Sequence, residues 1–354
     1  MNFTYRFPAV KGMQAKREYY ISMVPLKLLS RLFPNEDEYV LPEYRAQRKI
    51  NEARIPEIKK YILDNRDTYV FSALSASIDG EFSFTPSTTD DMGILEIDMD
   101  SVFLINDGQH RKAAIEAAMM EDKSLENETI SIVFFKDDGL LRSQQMFTDL
   151  NKHAVKTSNS LSTLYNSRDE IAVATKNVID SISFFRMFTD KERDILGKNS
   201  SNLFTLNMIY NANQKILGSG SCSTDDEKFL VDYWSCVAEN ICEWNEVMNK
   251  SLTKKDLREQ YIITLAITLK SLGRLGRYFY EDKVVDMKAS LLRLKEIDWL
   301  RTNDEWKGRT IGQGGKVLSS EEAAILTCNK IKMLIGLKLT KEEKQKEQQF
   351  AERV

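Results

Sequence analysis

Histidine is scarce in this chain, with two in 354 residues, His110 and His153. Cysteine is nearly so: Cys222, Cys236, Cys242 and Cys328 lie far apart and form no C-x-x-C pair. These spacings argue against a zinc site or a disulfide framework, and in a reducing compartment the four are most simply buried thiols. No apolar run approaches the roughly 18 residues that a membrane helix needs. The start, Met-Asn-Phe-Thr-Tyr-Arg-Phe-Pro, lacks the apolar core of a signal peptide. A cytoplasmic protein with no membrane partner is expected. An excess of positive charge is missing too: 50 Lys+Arg against 53 Asp+Glu leave a net charge of −3, which argues against a protein that coats DNA.

Charge is instead distributed unevenly. Residues 1–66 hold 13 Lys+Arg and 8 Asp+Glu, a local +5, while residues 67–140 hold 4 against 16, a local −12. Any DNA contact would therefore be made through a patch. Solvated helix faces explain the same numbers equally well.

The first 160 residues read as mixed α/β. Arg45 to Asn65 has helical periodicity, with Ile55, Ile58, Tyr61 and Ile62 on one stripe and Pro56 marking a fresh start. Strands are expected at Tyr69–Ile78, Glu81–Thr85, Ile94–Met99, Ser101–Asn106 and Thr129–Phe135, with Asp79-Gly80 as a hairpin signal. From Arg142 the pattern is helical, near 142–151, 168–180, 204–216, 225–249, 254–280, 284–296 and 319–336. A charged, frayed or exposed helix is expected to follow. The polar break Lys156-Thr157-Ser158-Asn159-Ser160 suggests an α/β domain over 1–160 and a mostly α-helical domain over 161–354.

The stretch with chemical content is Asn106-Asp107-Gly108-Gln109-His110-Arg111-Lys112, between an apolar strand and an alanine-rich helix. A helix start offers backbone N–H groups and the positive end of the dipole to an anion. Gly108 lets a backbone approach closely. Arg111 and Lys112 are cations where the dipole disfavours them, an inconsistency that a bound anion would remove, and Arg can fork onto two phosphate oxygens. Ala113, Ala114, Ala117 and Ala118 let the helix lie close to the sheet. Asp107 can hold a Mg²⁺-bound water, accept from a ribose hydroxyl, or cap the helix. His110 is either a ligand contact or a structural side chain.

Asp107-Gly108-Gln109-His110-Arg111 is the motif that names the DGQHR domain, and similar turns occur in ParB-like and sulfiredoxin-like folds. Gln144-Gln145-Met146-Phe147-Thr148-Asp149-Leu150-Asn151-Lys152-His153-Ala154 is similar to the helix end that accompanies it. With Phe7-Pro8-Ala9, Gly12-Met13-Gln14-Ala15, Arg17-Glu18-Tyr19-Tyr20, Arg45-Ala46-Gln47-Arg48, Ala53-Arg54-Ile55-Pro56-Glu57-Ile58, Phe71-Ser72-Ala73-Leu74 and Ala76-Ser77-Ile78-Asp79-Gly80, the first 165 residues resemble the DndB family of DNA phosphorothioation systems. At Val24, where the resemblance leads one to expect cysteine, no thiol-dependent role carries over.

The resemblance implies a negative regulator that binds promoter duplex DNA of the sulfur-modification genes and a nucleotide, ATP or another NTP with Mg²⁺. Gly108, Gln109, His110 and Arg111 would hold the phosphates, with Asn151 and His153 closing the pocket. Arg45, Arg48, Lys49, Arg54, Lys59 and Lys60 would meet DNA phosphates, giving salt-sensitive affinity with little sequence information. Each of these basic residues also has the plain reading of a solvated surface charge.

A second reading is an NTPase or NTP-dependent nickase with Asp107 and His110 as catalytic groups. Gly312-Gln313-Gly314-Gly315-Lys316-Val317 lacks the hydroxyl residue of a phosphate loop. It reads as a flexible connection into a helix capped by Ser319 with Glu322. A third reading is a scaffold for other sulfur-modification proteins. The stripes Phe229, Tyr233, Val237, Ile241 and Tyr261, Leu265, Leu269, Leu272 that would serve it are ordinarily core. A homo-oligomer is compatible with the sequence but is not read from it.

Overall fold

In the computed structural model, residues 3–34, 51–137, 157–198, 200–218, 220–282 and 284–352 are described, together with 139, 142, 145, 146 and 148–150. The chain divides into two compact units, Met1–Val155 and Lys156–Val354.

The first unit is a seven-stranded sheet with short helices. Its strands are β1 (Thr4–Gln14), β2 (Arg17–Pro25), β3 (Leu74–Asp79), β4 (Phe82–Thr89), β5 (Met92–Asp98), β6 (Val102–Asp107) and β7 (Thr129–Lys136). They lie in the order β4-β5-β1-β2-β7-β3-β6. All pairs are antiparallel except β3 with β7. Register places Phe7, Tyr20, Leu95, Ile132, Phe134, Ala76, Ile105 and Phe103 on one face, and all are buried. Helices α1 (Leu29–Leu32), α2 (Ile55–Asp64) and α3 (Gln109–Glu121) add Leu29, Leu32, Ile62, Ile115 and Ala118 to that core.

The sheet is strongly curled. In a flat sheet β3 and β4, five positions apart, would be separated by about 24 Å. The two residues Gly80 and Glu81 that join them span at most about 11 Å. A ring contact across the sheet shows how the distance closes. The rings of Tyr5 on β1 and Phe103 on β6 are 6.1 Å apart although three strands lie between them in the sheet order. A Cβ at Gly80, whose φ is +144°, would lie 2.3 Å from the Ser101 hydroxyl. Asp79-Gly80 is therefore a turn, as its chemistry predicts, but the strands it joins do not pair with each other, so it is not a hairpin.

The strands β1 and β2, absent from the sequence expectations, are paired as a hairpin near the sheet centre. The expected strand from Tyr69 begins only at Leu74. The carbonyls of Ser72 and Ala73 are taken by Arg111 instead of a neighbouring strand.

The second unit is helical: α4 (Asn159–Tyr165), α5 (Glu170–Ser181), α6 (Ser183–Phe188), α7 (Leu206–Leu217), α8 (Thr224–Asn240), α9 (Cys242–Met248), α10 (Lys254–Gln260), α11 (Ala266–Glu281), α12 (Met287–Leu292), α13 (Glu321–Leu334) and α14 (Lys341–Ala351). Its core gathers Phe184, Phe185, Phe204, Trp234, Trp244 and Leu272. Tyr233, Val237, Ile241, Leu269 and Leu272 are buried, and Phe229, Tyr261 and Leu265 pack against them. The helix expected over 225–249 breaks at Ile241, and that over 254–280 breaks after Gln260.

At Gly273 a Cβ would lie 2.5 Å from the Ala212 carbonyl, so α11 meets α7 backbone to backbone. The loop before α13 is a tight turn: Gly312 N–H donates to the Lys316 carbonyl, and Gly314 and Gly315 take positive φ. The cap of α13 is Ser320, one residue later than expected, its hydroxyl accepting from Ala323 N–H. The last helix, α14, carries a capping box at Thr340 and Glu343, and Glu347 pairs with Arg309 through two oxygens. Cys236 and Cys328 are buried, Cys222 is half-buried and Cys242 is exposed, which corrects the expectation that all four are buried; all are free thiols. No helix among the described residues is long and apolar enough to cross a membrane.

Candidate functional site

Strand β6 ends at Asp107, and Gly108 opens α3 with φ +105°. That conformation disfavours side chains, and the surroundings forbid one: a Cβ would lie 2.3 Å from Leu74 Cδ2. The helix begins without a side-chain cap and with no acidic residue in its first turn.

Arg111 folds back across the turn. Its Nη1 donates to the Ser72 carbonyl (2.6 Å), the Ser72 hydroxyl (2.6 Å) and the Ala73 carbonyl (2.9 Å). Its Nη2 donates to Asp107 Oδ2 at 2.6 Å. The guanidinium thus ties the end of β6, the start of α3 and the approach to β3 into one knot. Lys112, buried, pairs with Glu116 at 2.9 Å. Each first-turn cation therefore has a carboxylate four residues away, which answers the cation's own charge while the backbone N–H groups of the helix start keep no side-chain cap.

The approach to β3 is held from its other end. Arg66 pairs with Asp122 (2.8 Å) and Glu128 (2.7 Å), and Tyr69 donates to Glu128. Burial and Glu128 push the Tyr69 hydroxyl up to about 12. Asn106, just ahead of the motif, is buried, its amide donating to Ser77 Oγ (2.7 Å) and Met146 Sδ (3.2 Å), while its Oδ1 has no hydrogen-bond partner.

Of the nucleotide-site residues, Gly108, Gln109, His110 and Arg111 stand together in the first turn of α3; Asn151 and His153 lie outside the described residues. Of the two candidate catalytic residues, Asp107 is spent in part on Arg111, and His110 Nε2 accepts from Asn51 N–H at 3.0 Å. Among the basic candidates, Arg54 and Lys60 are exposed, and Lys59 pairs with Glu121 of α3. Arg45, Arg48 and Lys49 lie outside the described residues. Sequence reasoning missed Ser72, Ala73 and Asn51, whose contributions are backbone atoms, apart from the Ser72 hydroxyl, and leave no composition signal.

A family model, DndB (DNA-sulfur modification-associated), matches residues 7–338. The chain belongs to the DndB family. The match runs through the helical unit as well as the motif, so that unit is part of what defines a DndB protein. Searches of curated proteins and of solved structures gave no match. Membership places this DndB chain in DNA sulfur modification, alongside the other proteins of that system.

Proposed function

We propose that this DndB-family chain is a DNA-binding negative regulator of the genes for DNA phosphorothioate modification. In this reading a nucleotide phosphate at the Gly108–Arg111 turn adjusts its hold on promoter DNA. The observation that carries the reading is the helix start: a 13-residue helix entered through a left-handed glycine, with neither a side-chain cap nor an acid in its first turn. That arrangement leaves the positive end of the dipole for an external anion. Arg111, held by four acceptors, positions the turn and adds charge beside it.

Among the described residues no three His, Cys, Asp or Glu side chains gather to hold a metal. Mg²⁺ would therefore arrive with the nucleotide, bound mainly by its phosphates. The engagement of Asp107 by Arg111 and of His110 by Asn51 favours binding over hydrolysis. Exposed Arg54 and Lys60 suit contact with DNA phosphates.

The test is fluorescence anisotropy on labelled promoter and scrambled duplexes, with and without ATP or GTP, with phosphate release followed in the same samples. Wild type is expected to prefer promoter, with an affinity that shifts when nucleotide is added. Arg54→Glu/Lys60→Glu is expected to bind at least tenfold more weakly. Failure of wild type to bind either duplex at moderate salt sinks the reading, and steady phosphate release transfers the case to the NTPase alternative.

A further inference from the structure

The helical unit contains a groove of about 1110 Å³ walled by α7, α11, α13 and α14. Three of its cations, Lys215 at the end of α7 and Lys270 and Arg274 one turn apart on α11, converge on a single carboxylate, Glu321. Lys215 Nζ stands 3.1 Å from Glu321 Oε1, and Lys270 and Arg274 are also in direct contact. Glu321 is the first residue of α13, just after the Ser320 cap, so the positive end of that helix points to the same place. Three cations meet at one carboxylate, Glu321, beside a helix start whose first turn also carries Glu322.

Elsewhere on the wall most charges have a partner or a counterpart, with Lys346 and Glu342 adding one of each sign. Arg277 pairs with Glu281, and Lys332 with Glu343. Asp194 accepts from the backbone of Asn159 and Ser160. An ordinary solvated ion network alternates its signs; here three cations crowd one carboxylate. The wall as a whole keeps an excess of one positive charge in a concave setting, where low-dielectric walls concentrate the field. Arg274 Nε is buried with no partner, one more donor that the internal carboxylate does not satisfy.

We infer that this groove binds the phosphate groups of a small ligand, a nucleoside di- or triphosphate or pyrophosphate, at Lys215, Lys270 and Arg274. Glu321 holds the place of a phosphate oxygen when the site is free. Concavity favours a small phosphoanion over duplex DNA, which is too broad to enter and would keep its backbone at the rim. A phosphate group carries more charge than one carboxylate and presents several oxygens, so it matches three converging cations better than Glu321 does. The site is separate from the Gly108 turn, and it stands whether or not that turn holds nucleotide.

The full chain is titrated with pyrophosphate and with ATP by isothermal calorimetry, folding of each variant being checked by circular dichroism. Lys270→Gln/Arg274→Gln is expected to raise the Kd for pyrophosphate at least tenfold, and Lys215→Gln severalfold. Glu321→Gln is expected to lower it, because a competing charge is gone. Promoter binding without nucleotide, followed by anisotropy, should survive all of these changes, so this site and the regulator reading fail separately. The inference is overturned if wild type takes up neither probe at moderate salt, or if the variants bind pyrophosphate as wild type does. It is also overturned if the double variant loses duplex DNA rather than pyrophosphate. Should the double variant not fold, the milder Lys215→Gln decides.

Discussion

Arg111 shows how one side chain serves two arguments. As a cation at a helix start it invites a phosphate; in the structure it also closes the turn, with three acceptors at the approach to β3 and one on Asp107. Charge-assisted hydrogen bonds contribute about 1.5–3 kcal/mol each at most, and Asp107, 44% exposed at its side chain, rehydrates easily when freed. Arg111→Ala is therefore expected to cost roughly 2–3 kcal/mol of stability. Arg111→Lys, which cannot fork, should recover only part of this. Urea unfolding followed by circular dichroism measures both; a change below about 0.5 kcal/mol for Arg111→Ala would remove the clamp from the account. Loss of nucleotide response in Arg111→Ala is informative only in protein shown to be folded.

At the scale of elements, Glu321 links three helices, α7, α11 and α13. Burial raises its pKa, but hydrogen bonds from Lys270, Arg274 and Lys215 outweigh this and hold the carboxyl at about 2, against 4.5 for an ordinary glutamate. A carboxyl depressed in the folded state stabilises above its unfolded pKa and loses that contribution as pH falls through the folded value. The melting temperature of wild type should therefore exceed that of Glu321→Gln above pH 4.5, and the difference should shrink towards zero as pH falls to about 2. A difference independent of pH in that window would mean that the ion cluster does not contribute through charge.

The helices were legible because a 3.6-residue stripe of core residues survives whatever the partners are, and α5, α7 and α13 fall close to where that stripe puts them. Their interruptions were not, since the stripe through Tyr233, Val237 and Ile241 runs straight across the break at Ile241. The groove cluster had one visible trace, Lys270, Arg274 and Arg277 spaced along one face of a helix, but its meaning depends on Glu321, 51 residues further on.

For the whole molecule, the division into an α/β part and a helical part was plain from where strand-like runs stop, and the DGQHR turn was placed at its strand–helix junction. The central hairpin was hidden. β1 carries Pro8 and Gly12, and its outward face and that of β2 hold Val10, Ile21 and Met23, which are partly or largely exposed, so the alternation of apolar and polar residues is blurred. Strand order was equally out of reach, because the Asp79-Gly80 turn is read from local chemistry while pairing is decided by strands far off in sequence.

That order has a consequence for how the protein is made. Within this unit β1 and β2 are made first, yet they end up in the middle of the sheet, flanked by β5 and by β7, the last of its seven strands in sequence. The nascent hairpin must wait, with its apolar side uncovered, until Lys136 has emerged and loops of about a hundred residues can close. Ribosome-stalled chains ending before Thr129 should therefore stay sensitive to protease, and protection should appear in a single step once β7 clears the exit tunnel. During that interval the hairpin's apolar side lies open to solvent, so the unit gains its fold only when its seventh strand is in place.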